Sequence, residues 1–325
     1  MHRREFVAVT ASAVVSSTIA CLAPGRSRRD TPASGSLDAA AYHASRRFAR
    51  TSFGNIAYVE RGAGLAALFV HGLPLNGFQW RGALDRLSAH RRCIAPDLMG
   101  LGYSEIPESQ SLAPEAQASM LAALLDSLAI SAVDLVASDS GGAVAQLFVA
   151  RYPDRVRTLL LTNCDVHDDT PPPALLPVIA ASRAGTFADT ELAPQIANKA
   201  AARSKTGLGG CCYTDPARLT DEAIDYYLTP LVSSPLRKSQ LHGYCIALER
   251  NPLLSIEPAL RQSQVPLRIV WGTGDTIFHP KGPDWLHRTF PRSRGVRRIP
   301  GANLFFPEEM PDVIAEEALT LWTAI

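Results

Sequence analysis

Residues 133–146 read VDLVASDSGGAVAQ, an apolar run that gives way to polar and small residues. The run from Val133 to Ala137 is typical of a strand that is buried on both faces. Gly141 and Gly142 follow and lead into a helical pattern. A tight turn between such a strand and a helix leaves room only for small neighbours, and it projects the polar residue at its apex. The stretch therefore predicts a nucleophile elbow.

Two phasings of this elbow fit the sequence. With Asp139 at the apex the pattern is small-x-Asp-x-Gly-Gly, whereas Ser140 at the apex gives Ser-x-Ser-x-Gly. The length of the strand favours Asp139, because Ser140 then begins the helix. A third interpretation makes Asp139 a simple cap of the helix, without any part in chemistry.

Strand and helix patterns alternate on both sides of the elbow. A hairpin turned at Phe53-Gly54 precedes it, and a helical pattern covers about 114–130. Continuous apolar strands separated by helices predict an α/β fold, with a mostly parallel sheet and helices on both faces. The apolar runs are AALFVHG (66–72), RCIAPD (92–97), VDLVAS (133–138), VRTLLLTN (156–163) and PLRIVWGTGD (266–275). Ligands of such sheets bind at the carboxyl ends of strands, where Asp139 lies.

The alternation stops after Asp165. Proline-rich sequence follows, and the chain up to 248 predicts helices without a strand. A helical insertion above the strand ends is typical of a lid. We therefore expect a core of residues 46–165 and 249–325, with a lid of residues 166–248.

The first 25 residues resemble an export signal. Arg3 and Arg4 start a short basic segment of the twin-arginine kind, and a mildly apolar stretch follows. These features predict a protein that export machinery carries to the periplasm or the medium. A membrane tether through Cys21 is the less favoured alternative, and residues 26–45 read as a flexible linker.

Composition limits the partners. The 32 Lys and Arg residues nearly balance 31 Asp and Glu residues, for a net charge of +1. This balance does not predict a basic surface for binding nucleic acid. Cys211 and Cys212 are adjacent, which is not the spacing of metal ligands. We expect a small-molecule substrate and neither a metal nor a cofactor; the oligomeric state is open.

Four motifs in order resemble the α/β-hydrolase fold, and most of all its haloalkane dehalogenase and epoxide hydrolase branch. They are HGLPLNGFQW (71–80), APDLMGLGYSE (95–105), the elbow, and ARYPDRVRTLLLTN (150–163). The resemblance covers about 51–165 and 266–321. It implies that Asp139 displaces a leaving group from carbon and forms an alkyl ester; a carboxylate suits this step because it is ionised at neutral pH without a base, whereas serine needs one.

The resemblance also implies the supporting groups. Asp275 is the acid that orients a catalytic histidine, and Asp165 occupies the place where some relatives keep that acid instead. The backbone amides of Leu73 and Ser140 correspond to the cradle for an oxyanion or a leaving group.

The chain departs from this pattern at three positions. Ser140 stands where dehalogenases commonly have tryptophan, and Leu73 stands where one group has asparagine. Leu304, in PGANLFFPEEMP (300–311), occupies the place of the catalytic histidine. Lid tyrosines donate a proton in epoxide hydrolases; Tyr213, Tyr226, Tyr227 and Tyr244 are available in the insertion for this role, and each can equally be a packing residue.

His279 and His167 follow the two acids on neighbouring loops and are the candidates for a substitute base. Without one, we expect displacement by Asp139 to stall at the ester. The sequence thus predicts a hydrolase of a small apolar haloalkane, epoxide or ester. The alternatives are a ligand-binding pseudo-hydrolase, or a lyase or isomerase that uses Asp139 as acid or base.

Overall fold

An eight-stranded sheet forms the centre of the computed structural model, which describes residues 37–323. The order across the sheet is β1-β2-β4-β3-β5-β6-β7-β8. β2 runs antiparallel to β1 and β4, and the other neighbours are parallel, so the predicted mostly parallel sheet is confirmed. The strands are β1 Arg47–Thr51, β2 Gly54–Arg61, β3 Ala66–Val70, β4 Arg92–Pro96, β5 Val133–Asp139, β6 Val156–Cys164, β7 Leu267–Gly272 and β8 Ser293–Ile299.

Two groups of helices pack beside this sheet. In one group α3 and α11 pack against α4, and in the other α2 packs against α14. Among residues 37–323, no helix combines the length and apolar character that crossing a bilayer requires. The helices outside the lid are α1 Ala39–Ser45, α2 Arg81–Leu87, α3 Pro114–Ser127, α4 Ser140–Arg151, α11 Leu253–Gln262, α12 Gly282–Thr289, α13 Phe306–Glu309 and α14 Pro311–Thr323.

Between β6 and β7, where the sequence predicts a lid, the chain forms helices and turns. Thr220 begins α9 as its sequence predicts, because its side chain accepts a hydrogen bond from the Ala223 amide. The lid helices are α5 Leu176–Arg183, α6 Ala193–Ala197, α7 Lys199–Arg203, α8 Leu208–Cys212, α9 Asp221–Val232 and α10 Pro235–Ala247.

The flexible linker predicted for residues 26–45 is wrong at its end, where Ala39–Ser45 forms α1. Asp38 caps this helix by accepting a hydrogen bond from the Ala41 amide at 2.7 Å. Tyr42 is buried, and its ring contacts Phe78 and Tyr226. An aromatic anchor therefore orders this segment despite its polar neighbours. The predicted export signal and Cys21 lie outside the described residues.

Candidate active site

Asp139 is the last residue of β5, and Ser140 is the first residue of α4. Asp139 adopts φ 56° and ψ −142°, in the left-handed region that side chains rarely occupy. Such a conformation costs about 1–3 kcal/mol and concentrates at functional sites. The backbone thus has the strained strand-to-helix turn of an elbow, with Asp139 at its apex.

Glycines leave the space that this turn needs. A Cβ at position 72 would overlap the carboxyl group of Asp139, and a Cβ at position 141 would overlap the backbone oxygen of His71. At position 142 it would overlap the side chain of Cys164. Only glycine therefore fits at these three positions around the apex, as the predicted elbow requires.

A shift in strand register brings a second carboxyl group beside the first. The pairing of β5 with β6 is irregular after Ala137, so that Asp139 lies opposite Cys164. Asp165 is the next residue and is only 4% exposed. Because neighbouring strands lie about 5 Å apart, Asp139 and Asp165 leave the sheet side by side.

Both carboxyl groups line one cavity of about 360 Å³ between core and lid. Most of its walls are apolar, with lining residues that include Leu73, Ser140, Leu175, Phe187, Cys212 and Leu304. A larger groove of about 760 Å³ lies between the β1–β2 hairpin, residues 102–107 and helices α9 and α10. None of the site residues predicted above lines that groove, so the smaller cavity is the candidate site.

Burial opposes ionisation in this cavity. The pKa of Asp139 is raised well above its ordinary value, by burial first and then by the negative charge of Asp165. Burial, together with the charge of Asp169, raises the pKa of Asp165 to about 7. The ionised form of Asp139, which a displacement by this carboxyl group would need, is therefore disfavoured at neutral pH.

Asp275 lies near this pair but is committed to other partners. Its Oδ2 accepts a hydrogen bond from Asn163 Nδ2 and its Oδ1 accepts one from the Ile277 amide, each at 2.8 Å. Asp275 does not line the cavity, although its charge contributes to the raised pKa of Asp139.

The predicted amide cradle is partly engaged by a side chain. The Leu73 amide donates a hydrogen bond to Ser140 Oγ at 3.2 Å, and this hydroxyl lies 3.0 Å from the Tyr244 hydroxyl. The amides of Leu73 and Ser140 also face the Asp139 carboxyl and favour its charged form. Sequence reasoning missed the Ser140–Tyr244 pair, because 104 positions separate its members.

Leu304 is 2% exposed and lines the cavity. Its loop is fastened to the lid: the Phe305 amide donates to the Cys212 carbonyl and the Asn303 side chain donates to the Tyr213 carbonyl, each at 2.9 Å. The cavity therefore has an apolar wall where the family resemblance places a histidine.

These features have the layout of a known fold family. Residues 68–309 match the family model of the alpha/beta hydrolase fold. The chain belongs to this family. A haloalkane dehalogenase of Agrobacterium fabrum is 30% identical over 227 residues, which are 67% of this chain and 68% of that protein.

Two further relatives of this α/β hydrolase show the breadth of the family. A 2-hydroxy-6-oxo-2,4-heptadienoate hydrolase of Pseudomonas putida is 40% identical over 103 residues. These residues are 31% of this chain, and they span only 37% of the length of that relative. A solved esterase of Thermogutta terrifontis superposes with a TM-score of 0.68 at 24% identity, covering 86% of this chain and 98% of that one. At this identity the esterase supports the fold alone.

His279 and His167 of this α/β hydrolase line a different cavity, together with Asp168, Asp169 and Trp285. His167 Nε2 lies 2.9 Å from Glu257, and its ring stacks on Trp285. His279 is exposed and accepts a hydrogen bond from the Lys281 amide. Neither histidine lines the Asp139 cavity, where among the described residues no histidine is present.

The four tyrosines that the sequence singled out lie in three places. Tyr213 and Tyr227 donate hydrogen bonds to buried Glu308 at 2.6 and 2.9 Å, and Arg81 also pairs with this carboxylate. Tyr226 bonds to Arg46. Of the four, Tyr244 is the one that bonds to the elbow. Within residues 37–323 no cluster of three His, Cys, Asp or Glu side chains is arranged to bind a metal ion.

Proposed function

We propose that this α/β hydrolase acts on a small, mostly apolar haloalkane, epoxide or ester, with Asp139 as its nucleophile. One observation carries the proposal: a strained elbow presents the Asp139 carboxyl to an apolar cavity. Its Oδ2 is buried and accepts no hydrogen bond from the described residues, so once the carboxyl group is ionised no donor has to be displaced before this oxygen attacks.

The apolar cavity suits displacement at carbon. An Asp139 oxygen forms a bond to the substrate carbon while the bond from that carbon to its leaving group breaks. Little water competes for the carboxylate once it is ionised, so the protein supplies mainly position and surroundings. The Ser140 hydroxyl lines the cavity and can donate to a departing halide or oxygen, while the Tyr244 hydroxyl, 3.0 Å away, donates to Ser140.

Adduct mapping tests this proposal. The protein is mixed with 1-bromobutane or with styrene oxide at pH 9, quenched after different times and digested for mass spectrometry. We expect one alkyl group on the peptide that contains Asp139, and none in Asp139→Asn. An adduct on another residue, or equal product from Asp139→Asn, would refute the assignment.

A raised pKa also favours a second function, in which Asp139 donates a proton without a covalent step. A lyase or an isomerase would use it in this way. Oxygen labelling separates the two: a single turnover in H₂¹⁸O places the label in the Asp139 carboxyl if an ester is hydrolysed, and leaves that carboxyl unlabelled otherwise.

We also propose export of the folded protein through Arg3 and Arg4, on the basis of the basic start and the apolar stretch in residues 1–25. Replacing both arginines with lysine should retain the precursor in the cytoplasm. Unchanged amounts of mature protein outside the cytoplasm would argue against this route.

A further inference from the structure

Hydrolysis of an Asp139 ester needs a group that takes a proton from water. Leu304 offers no such group, and the two loop histidines line another cavity. Asp275 has both oxygens engaged by Asn163 and Ile277 and does not line the cavity. Two other carboxyl groups line the cavity: Glu191 is an exposed residue of the lid, whereas Asp165 is buried at the end of the strand next to Asp139.

The backbone fixes Asp165 beside the nucleophile. The irregular pairing of β5 and β6 sets Asp139 opposite Cys164, so that Asp165 follows directly at the strand end. Its backbone oxygen accepts a hydrogen bond from Gln146 Nε2 at 2.8 Å, which ties this position to α4. The side chain then lines the same cavity as Asp139.

We propose that Asp165 is the general base of this hydrolase, accepting the proton of the water that attacks the Asp139 ester. This inference rests on the proposed function of Asp139 as a nucleophile. It names a catalytic group for the second half of the reaction, which the family resemblance assigns to a histidine.

The bonds and protons balance in this scheme. The water oxygen bonds to the carboxyl carbon of the Asp139 ester while Asp165 accepts a water proton. The tetrahedral intermediate then collapses, the bond from that carbon to the alkoxyl oxygen breaks, and the leaving oxygen takes the proton back from Asp165. An alcohol leaves and Asp165 is a carboxylate again, while Asp139 keeps the second proton of the water and releases it to solvent before the next displacement.

The electrostatics of the cavity support this role. Burial and Asp169 raise the pKa of Asp165 to about 7, which is near the value that suits a base at neutral pH. The other titratable neighbours are Asp139 on β5, Cys164 on β6 and Tyr244 on α10. Esterification removes the charge of Asp139, and Asp165 is the neighbouring strand-end carboxyl group that can still ionise.

The test compares Asp165→Asn with Asp168→Asn, an exposed aspartate three positions away. With 1-bromobutane and with styrene oxide, we expect Asp165→Asn to form the Asp139 adduct but to lose about 10²-fold or more of its steady-state turnover. The adduct should then persist, and a control turnover in H₂¹⁸O should label the Asp139 carboxyl in the parent protein but not in Asp165→Asn. Asp168→Asn should behave as the parent does.

The unmodified protein gives a second readout that does not depend on a variant. When the adduct is formed at pH 9 and the pH is then lowered, its rate of breakdown should fall about tenfold per pH unit below pH 7. A flat profile, or full turnover by Asp165→Asn, overturns the role of Asp165. A parent protein that stalls as an adduct also overturns it but leaves the Asp139 nucleophile intact. If neither adduct nor product forms, both the role of Asp165 and the Asp139 nucleophile are overturned.

Discussion

The hydroxyl oxygen of Ser140 lies 3.0 Å from the phenol oxygen of Tyr244, and this contact joins the first turn of α4 to lid helix α10. Ser140 Oγ also accepts a hydrogen bond from the Leu73 amide. One small side chain therefore connects the elbow, the loop after β3 and the lid.

Removing this hydroxyl should cost more stability than removing its partner. Ser140→Ala removes the hydrogen bond from the Leu73 amide and also leaves the Tyr244 hydroxyl without its Ser140 partner, which costs about 1–3 kcal/mol in a buried site. Tyr244→Phe removes one hydrogen bond, worth about 1 kcal/mol. Chemical denaturation of the two variants measures the order, and a Tyr244→Phe protein that is the less stable of the two would contradict the arrangement.

Gly72→Ala should abolish the chemistry. The new Cβ would overlap the Asp139 carboxyl and displace it from the cavity, so we expect the adduct on Asp139 to fall about tenfold or more. Gly243→Ala is the matched control, since its Cβ would meet only the flexible end of Leu112. Intact-mass measurement of the adduct compares them, and equal labelling of the two variants would show that Gly72 does not position Asp139.

Leu304→His should restore hydrolysis to an Asp165→Asn protein. A histidine at this position enters the cavity wall and can accept the proton that Asp165 no longer takes, which should raise turnover by about 10²-fold. Leu304→Met in the same background controls for the change in packing. Persistent adduct in the histidine variant would mean that position 304 does not reach the attacking water.

Asp165 should make the folded protein less stable as the pH rises. Its pKa is 3.8 ordinarily and about 7 when folded, so its stabilising contribution is present below pH 4 and is lost as the pH rises through 7. Asp165→Asn should therefore unfold at the same temperature as the parent at pH 4 and at a higher temperature at pH 8. The difference in unfolding free energy at pH 8 is up to about 4 kcal/mol. Thermal unfolding across this range is the measurement, with exposed Asp168→Asn as the control. A difference that shrinks with pH would contradict the raised pKa.

The sequence predicts the core well because its signals are local. The apolar run that ends at Asp139 and the glycines after it are sufficient to place the elbow, and the continuous apolar strands predict the parallel sheet. The hairpin was predicted to turn at Phe53-Gly54, and its two-residue loop is Ser52-Phe53, since Gly54 already pairs with Thr51. A shift of this size is expected where a glycine can either turn or extend.

Long-range relationships could not be predicted in the same way. The segment before β1 reads as a linker until Tyr42 is seen between Phe78 and Tyr226. Strand register, rather than composition, determines two of these relationships. One is the hydrogen bond between Asp275 and Asn163, and the other is the position of Asp139 next to Asp165 at the strand ends. The separate cavity of His167 and His279 likewise follows from the packing of α12.

The hydrogen bonds between the Leu304 loop and the lid affect how substrates enter the cavity and how products leave it. If the lid swung away as one piece, the hydrogen bonds from Asn303 and Phe305 and the buried Glu308 contacts would all have to break together. Molecules should instead pass through narrow gaps between side chains. Selection among substrates then depends on the width of the route as well as on the fit at the reacting carbon, and bulky compounds are rejected through slow entry.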